Sequence, residues 1–168
     1  MSSDEMPATL LSSPARRLAF GAAAALTAAI AATFFEMGAY SWIAIGSALG
    51  GMARYWFSGI AARLWGETFP WGTLLINVIG SFVIGFFGTL AGPDGRIFVG
   101  SAARQFVMIG ICGGFTTFSS FSLQTLNLLN DGEWLSASGY AGASVALCLV
   151  AVWAGYAVAI AFNILKMV

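Results

Sequence analysis

The chain contains no histidine, only two cysteines and four prolines, and just 8% charged residues among 168. Without imidazole there is no Ser-His-Asp or Cys-His nucleophile and no His-containing metal site. Cys112 and Cys148 both fall inside apolar stretches. They are too few for a metal framework and read as small buried hydrophobes, with half of a redox pair as the alternative for each, and they carry no compartment signal. Charge is equally scarce, with seven basic residues against seven acidic ones. A water-soluble domain carries about 25% charged residues. Seven bases neither solvate a globule nor build a phosphate-binding patch, so nucleic-acid binding is excluded as a primary role. What is abundant is apolar surface: 59% of residues are hydrophobic, which places the chain in a bilayer.

The spacing of the few charges maps the spans, because about 20 apolar residues cross a bilayer core and charges are costly there. No charge occurs between Glu67 and Asp94, between Arg104 and Asp131, or between Glu133 and Lys166. From Glu36 to Arg63 the only interruption is Arg54. Four strong helices are predicted at 40–62, 71–91, 97–129 and 134–163. Pro7, Pro14, Pro70 and Pro93 all fall outside them, where a missing N–H does no harm. Trp65, Trp71 and Trp134 stand near span ends, the headgroup level that suits an indole. Residues 1–17 read as a disordered tail and 37–168 as the four-helix domain.

Residues 18–36 have two readings. Arg16 and Arg17 precede an Ala-rich uncharged stretch, the pattern of a signal peptide; the alternative is a retained extra N-terminal helix. The four-helix core has almost no orientation signal: Arg54 and Arg63 collect on one side, and Arg96, Arg104 and Lys166 on the other. Dual topology follows as an expectation, with Arg16 and Arg17 fixing one orientation as the plainer alternative.

The most informative run is Gly110-Ile111-Cys112-Gly113-Gly114-Phe115-Thr116-Thr117-Phe118-Ser119-Ser120-Phe121-Ser122. Three glycines within five residues, each costing about 1 kcal/mol of helix propensity, followed by the two β-branched threonines Thr116 and Thr117, predict local unwinding near mid-membrane. Freed carbonyls there need partners, and broken transporter helices use them to coordinate a cation such as Na⁺. Gly113 and Thr116 are the candidates. Gly110 and Gly114 also form a GxxxG pair, as do Gly46 and Gly50, and helix contact is the plainer reading of such pairs.

Phe118 and Phe121 share a helix face, with Ser122 one turn beyond Phe118. Phenyl ring edges are positive, so edges together with neutral hydroxyl and amide donors suit a small anion; Phe facing lipid and Ser bonding back to a carbonyl is the commoner pattern. Asn77 and Ser81 stand one turn apart in the second helix, and Tyr140, Ser144 and Cys148 line one face of the fourth. No span carries a mid-membrane carboxylate, so proton-coupled transport lacks its relay.

Gly50-Gly51-Met52-Ala53-Arg54-Tyr55, then Gly72-Thr73-Leu74-Leu75-Ile76-Asn77, then Gly113 to Ser122 resemble the fluoride-specific ion channels of the Fluc (CrcB) family over about residues 40–163. The resemblance implies an all-α integral membrane protein, multi-pass in the inner (plasma) membrane. It implies four helices per subunit, the third broken, paired as an antiparallel homodimer with two fluoride pathways. It implies Phe118 and Phe121 as the aromatic lining, Asn77 as the amide that bonds the anion, and Ser120, Tyr140 and Ser144 as a polar track. Arg54 is placed at the vestibule, where simple snorkelling is its other reading, and the Gly113 and Thr116 carbonyls hold a central structural Na⁺. Cys148 stands where a hydroxyl is expected. The expected role is passive export of fluoride, without catalysis. A small dual-topology multidrug exporter and a noncatalytic membrane anchor are the rival classes.

Overall fold

The computed structural model describes residues 14–93, 95 and 97–164, and the regular structure among them is entirely helical. Residues 1–13, which make up most of the expected tail, and Lys166 lie outside the described residues. The chain divides into two compact units, Met1–Gly38 and Ala39–Val168. In the first, helix α1 (Pro14–Trp65) begins at Pro14, the helical position at which a missing N–H costs nothing. Residues 18–36 are helical throughout.

The second unit holds the rest of α1 from residue 39, then α2 (Trp71–Leu90), α3 (Ser101–Gln105), a π-helix (Phe106–Cys112), α4 (Gly113–Phe115), α5 (Phe118–Asn130) and α6 (Trp134–Ile164). Among the described residues three stretches are long and apolar enough to cross a membrane: Trp71–Leu90, Ser101–Asn130 and Trp134–Ile164. Glycine ends two of these helical runs. Gly66 (φ 76°) follows α1 and donates to the Ala62 carbonyl at 2.9 Å. Gly132 (φ 78°) follows α5; its N–H reaches the Leu129 carbonyl at 3.1 Å, and the Glu133 N–H reaches Leu128 at 2.8 Å. That pair of bonds is a Schellman cap, which a left-handed glycine makes strain-free.

Packing rests on small residues, as expected where lipid removes the hydrophobic drive between helices. A methyl added to Gly110 would stand 2.8 Å from the Gly46 Cα, and one on Gly114 would stand 2.6 Å from the Ser47 carbonyl. The paired glycines therefore do what their plainer reading says: they let residues 39–65 of α1 lie backbone to backbone on the π-helix and α4. Gly85 is pressed on the Val152 carbonyl and Gly155 on that of Phe82, which joins α2 to α6 just as closely. A small apolar core gathers Leu74, Leu128, Ala137 and Tyr140, with Phe69, Val78, Phe121 and Leu129 around it. Phe82 stacks on Phe86, and Phe86 meets Phe162 edge-on, so ordinary packing accounts for these rings. Trp65, Trp71 and Trp134 are exposed at helix ends.

The departure from helix falls inside the predicted run, at its threonines rather than its glycines. Gly113 keeps helical angles (φ −65°, ψ −37°), and the preceding seven residues widen into the π form. The extended residues are Thr116 (ψ 159°) and Thr117 (φ −155°, ψ 114°). Glycine tolerates a break but does not force one; here bonds to neighbouring side chains impose it, as the site shows.

Candidate functional site

Asn77, in the second turn of α2, makes two bonds to one residue. Its Nδ2 donates to the Thr117 carbonyl at 3.1 Å, and its Oδ1 accepts from the Thr117 N–H at 2.8 Å. This is the pairing a strand neighbour would make, and it holds Thr117 in extended geometry. Thr117 in turn caps α5: its Oγ1 accepts from the Ser120 N–H at 3.2 Å and donates to the Ser120 hydroxyl at 3.1 Å. A hydroxyl at that position satisfies one of the orphan donors of a helix start. Thr116 folds back instead, with both its N–H and its Oγ1 donating to the Cys112 carbonyl at 2.9 Å.

These diversions act on the carbonyls. An unbroken helix would send the Thr117 N–H to the Gly113 carbonyl and the Ser120 N–H to that of Thr116. Here the first goes to Asn77 and the second to the Thr117 side chain. Gly113 is also exposed, and a methyl placed on it would meet nothing nearer than the Met108 carbonyl at 3.9 Å. Its glycine is thus not needed for packing within the subunit, in contrast to Gly110 and Gly114.

A cavity of about 340 Å³ opens beside this break. Asn77, Ser81, Gly113, Thr116, Thr117, Phe118, Phe121, Ser144 and Cys148 are among its lining residues, and no charged side chain is. Phe118 and Phe121 stand 5.2 Å apart at 46°, and Phe118 is 76% exposed. Ser144 is only 6% exposed, and its Oγ has no hydrogen-bond partner. A buried hydroxyl without a partner costs about 1–3 kcal/mol, and this one lies on the wall of an uncharged cavity.

Tyr140 is fully buried, one turn before Ser144, and does not line this cavity. Its ring packs 5.3 Å from Phe121 and 5.5 Å from Phe69, and its hydroxyl donates to Gln124 Oε1 at 2.9 Å. A second cavity of about 470 Å³ has Glu67, Thr73, Gln124, Asn127 and Asp131 among its lining residues. Thr73 and Asn77 on α2 are one turn apart, and Phe121 and Gln124 on α5 are three residues apart, so both helices contribute to both cavities. Tyr140 lines neither cavity but packs against lining residues of both, Phe121 of the first and Phe69 and Gln124 of the second, and so forms part of the partition between them.

The sequence-predicted residues therefore divide. Asn77, Gly113, Thr116, Phe118, Phe121 and Ser144 come together on one cavity. Ser120 is drawn to the α5 cap by Thr117, and Tyr140 into the partition, so neither is on that cavity's wall. Arg54 is half-buried on α1 and lines neither cavity. Ser122 bonds back to the Phe118 carbonyl at 2.9 Å, the commoner role for a helical serine. Sequence reasoning missed Thr117 and Gln124. The Thr-x-x-Ser spacing before α5 is a capping signal that points to the first; nothing local marks the second, since only tertiary packing brings it to Tyr140.

Apolar helices long enough to span a bilayer, with an uncharged cavity lined by aromatic rings, hydroxyls and an amide among them, define a multi-pass membrane protein. Residues 41–156 match the CrcB-like protein family (Camphor Resistance, CrcB), and the chain belongs to that family. It is 63% identical over 127 residues to the fluoride-specific ion channel FluC of Methylocella silvestris, covering 76% of this chain and 97% of that one. Identity is 59% over 130 residues to the FluC of Opitutus terrae, covering 77% and 98%. With that of Paramagnetospirillum magneticum it is 58% over 124 residues, covering 74% and 97%. Residues 1–40 precede the family match.

Proposed function

We propose that this chain is the subunit of a passive, fluoride-selective channel that lets fluoride leave the cytoplasm across the inner membrane. The observation that carries the reading is the uncharged cavity beside Thr117, where Phe118, Phe121, Asn77 and the partnerless Ser144 hydroxyl converge. The similarity to proteins named fluoride-specific ion channels supports the choice of ion. A small anion that gives up water needs compensating donors at short range. Ring edges of Phe118 and Phe121, the Ser144 hydroxyl and the second Nδ2 hydrogen of Asn77 supply them without a fixed positive charge that would trap the ion. Tyr140, swinging between Gln124 and Ser144, connects the two cavities. The exporter alternative is not favoured, because the three spans carry no carboxylate.

The working unit is an antiparallel homodimer of dual topology. Residues 39–65 of α1 serve as a fourth span, and the third span is a helix broken at Thr116–Thr117. Exposure of Phe118 and of Gly113 supports this assembly, because both present unfinished surface. The Gly113 and Thr116 carbonyls, relieved of their helical donors, would hold a structural Na⁺ at the dimer centre, where the ion supplies fixed positive charge between the subunits. Purified protein in liposomes tests the function: fluoride efflux on a fluoride electrode with chloride retained is expected, and efflux no faster than from bare lipid overturns it. Exhaustive replacement of Na⁺ is expected to weaken the dimer and stop conduction; an unchanged dimer and flux overturn the carbonyl site.

A further inference from the structure

Three sulfur-bearing side chains, Met108, Cys112 and Cys148, line the first cavity, and nothing in the proposed passage of fluoride uses them. The two thiols come from different spans, 36 positions apart in sequence, and both are free. Their heights follow from close contacts along α2. Thr116 packs on Gly80, and Cys112, one turn earlier on a segment antiparallel to α2, falls beside Ile84. Val152 packs on Gly85, and Cys148, one turn earlier on a helix parallel to α2, falls beside Ser81. Ile84 and Ser81 both line the cavity and are three residues apart, about 4.5 Å along the helix axis. The thiols thus sit on two walls of one cavity at nearly one level, with the Met108 thioether a turn beyond Cys112.

We propose that Cys112 and Cys148 form a two-coordinate thiolate site for a soft cation such as Hg²⁺, and that its occupation closes the fluoride path. Thiolate and thioether select soft ions over hard ones. Among the described residues no three His, Cys, Asp or Glu side chains gather to hold a metal, so no imidazole or carboxylate joins the two thiols and a two-coordinate ion suits them. Mercury arrives as neutral HgCl₂, which the uncharged cavity does not repel. Two S–Hg bonds form, two Hg–Cl bonds break, and two thiol protons leave with two chlorides, with no change in oxidation state. The bridge stands across the cavity beside Ser144 and Cys148. Its blocking effect rests on the proposed pathway; its formation does not.

The full chain, in detergent and in liposomes, is titrated with HgCl₂ while free thiols, intact mass and fluoride efflux are followed. One mercury per chain is expected to consume both thiols and displace two hydrogens, with efflux arrested and restored by excess dithiol. Because the second bond is intramolecular, wild type is expected to hold mercury against a competing monothiol about a hundredfold better than Cys112→Ser or Cys148→Ser. Each variant's efflux is compared with its own mercury-free rate. Two mercury atoms per wild-type chain, or equal retention by the single variants, overturn the site. A bridge that leaves efflux unchanged overturns the block. If the mercury-free protein carries no fluoride, the channel reading fails, while the thiol stoichiometry still decides the site.

Discussion

Between Phe106 and Phe115 the third apolar segment lies backbone to backbone on residues 39–65 of α1, through Gly46, Gly50, Gly110 and Gly114, with no room for a methyl group. Beyond Thr117 the same segment leaves Phe118 largely exposed and puts the rings of Phe118 and Phe121 on the wall of a cavity. The first half is a joint and the second a lining. The residues that mark the change are threonines, not glycines. A glycine-rich run inside a membrane helix is therefore evidence of close packing first, and the break has to be located from whatever diverts the backbone hydrogen bonds.

The largest effect expected from breaking this contrast is at the joint. In Gly50→Val the added carbons meet the Ile111 carbonyl and the Phe115 N atom, a backbone clash that costs about 3 kcal/mol or more. Size-exclusion chromatography should show loss of the folded species, whereas Gly51→Val, with nothing within 4 Å, should elute as wild type. Next is the clamp. Asn77→Leu leaves the Thr117 N–H and carbonyl without partners, at about 1–3 kcal/mol each, and fluoride efflux should fall roughly a hundredfold or more.

Phe118→Ile keeps bulk and removes the ring edge. Efflux should fall roughly tenfold or more, matching loss of an edge interaction of about 1.5 kcal/mol, with the elution profile unchanged; wild-type efflux would contradict the aromatic role. The smallest effect is at the partition. Gln124→Leu removes one neutral hydrogen bond to Tyr140, worth about 1 kcal/mol, and should change efflux by about fivefold without altering the elution profile.

Much of this was legible in the sequence. Charge-free gaps placed the three apolar spans, whose ends at Trp71–Leu90 and Trp134–Ile164 lie within one residue of those predicted. The motif around Thr116 to Phe121 located the cavity, and polar residues spaced one turn apart in apolar helices identified Asn77 and Ser144. Ser120 and Tyr140 could not be assigned in this way. A hydroxyl one turn from a site residue is equally able to face it or to cap a helix, and the choice depends on Thr117. Gln124 carries no local signal, since its partner comes from another helix.

Composition by itself determined that this chain lives in lipid, that its helices are uncharged within the spans and that it lacks imidazole chemistry. These follow from the cost of charge in hydrocarbon and from side-chain inventory, neither of which depends on contacts. Only tertiary structure decided where the helix opens, which glycines are joints, that Tyr140 stands between two cavities and that two distant cysteines line the same one. The physical reason is that in a bilayer every helix satisfies its own backbone, so a departure from helix exists only where a neighbouring side chain, here Asn77, offers the backbone a better partner.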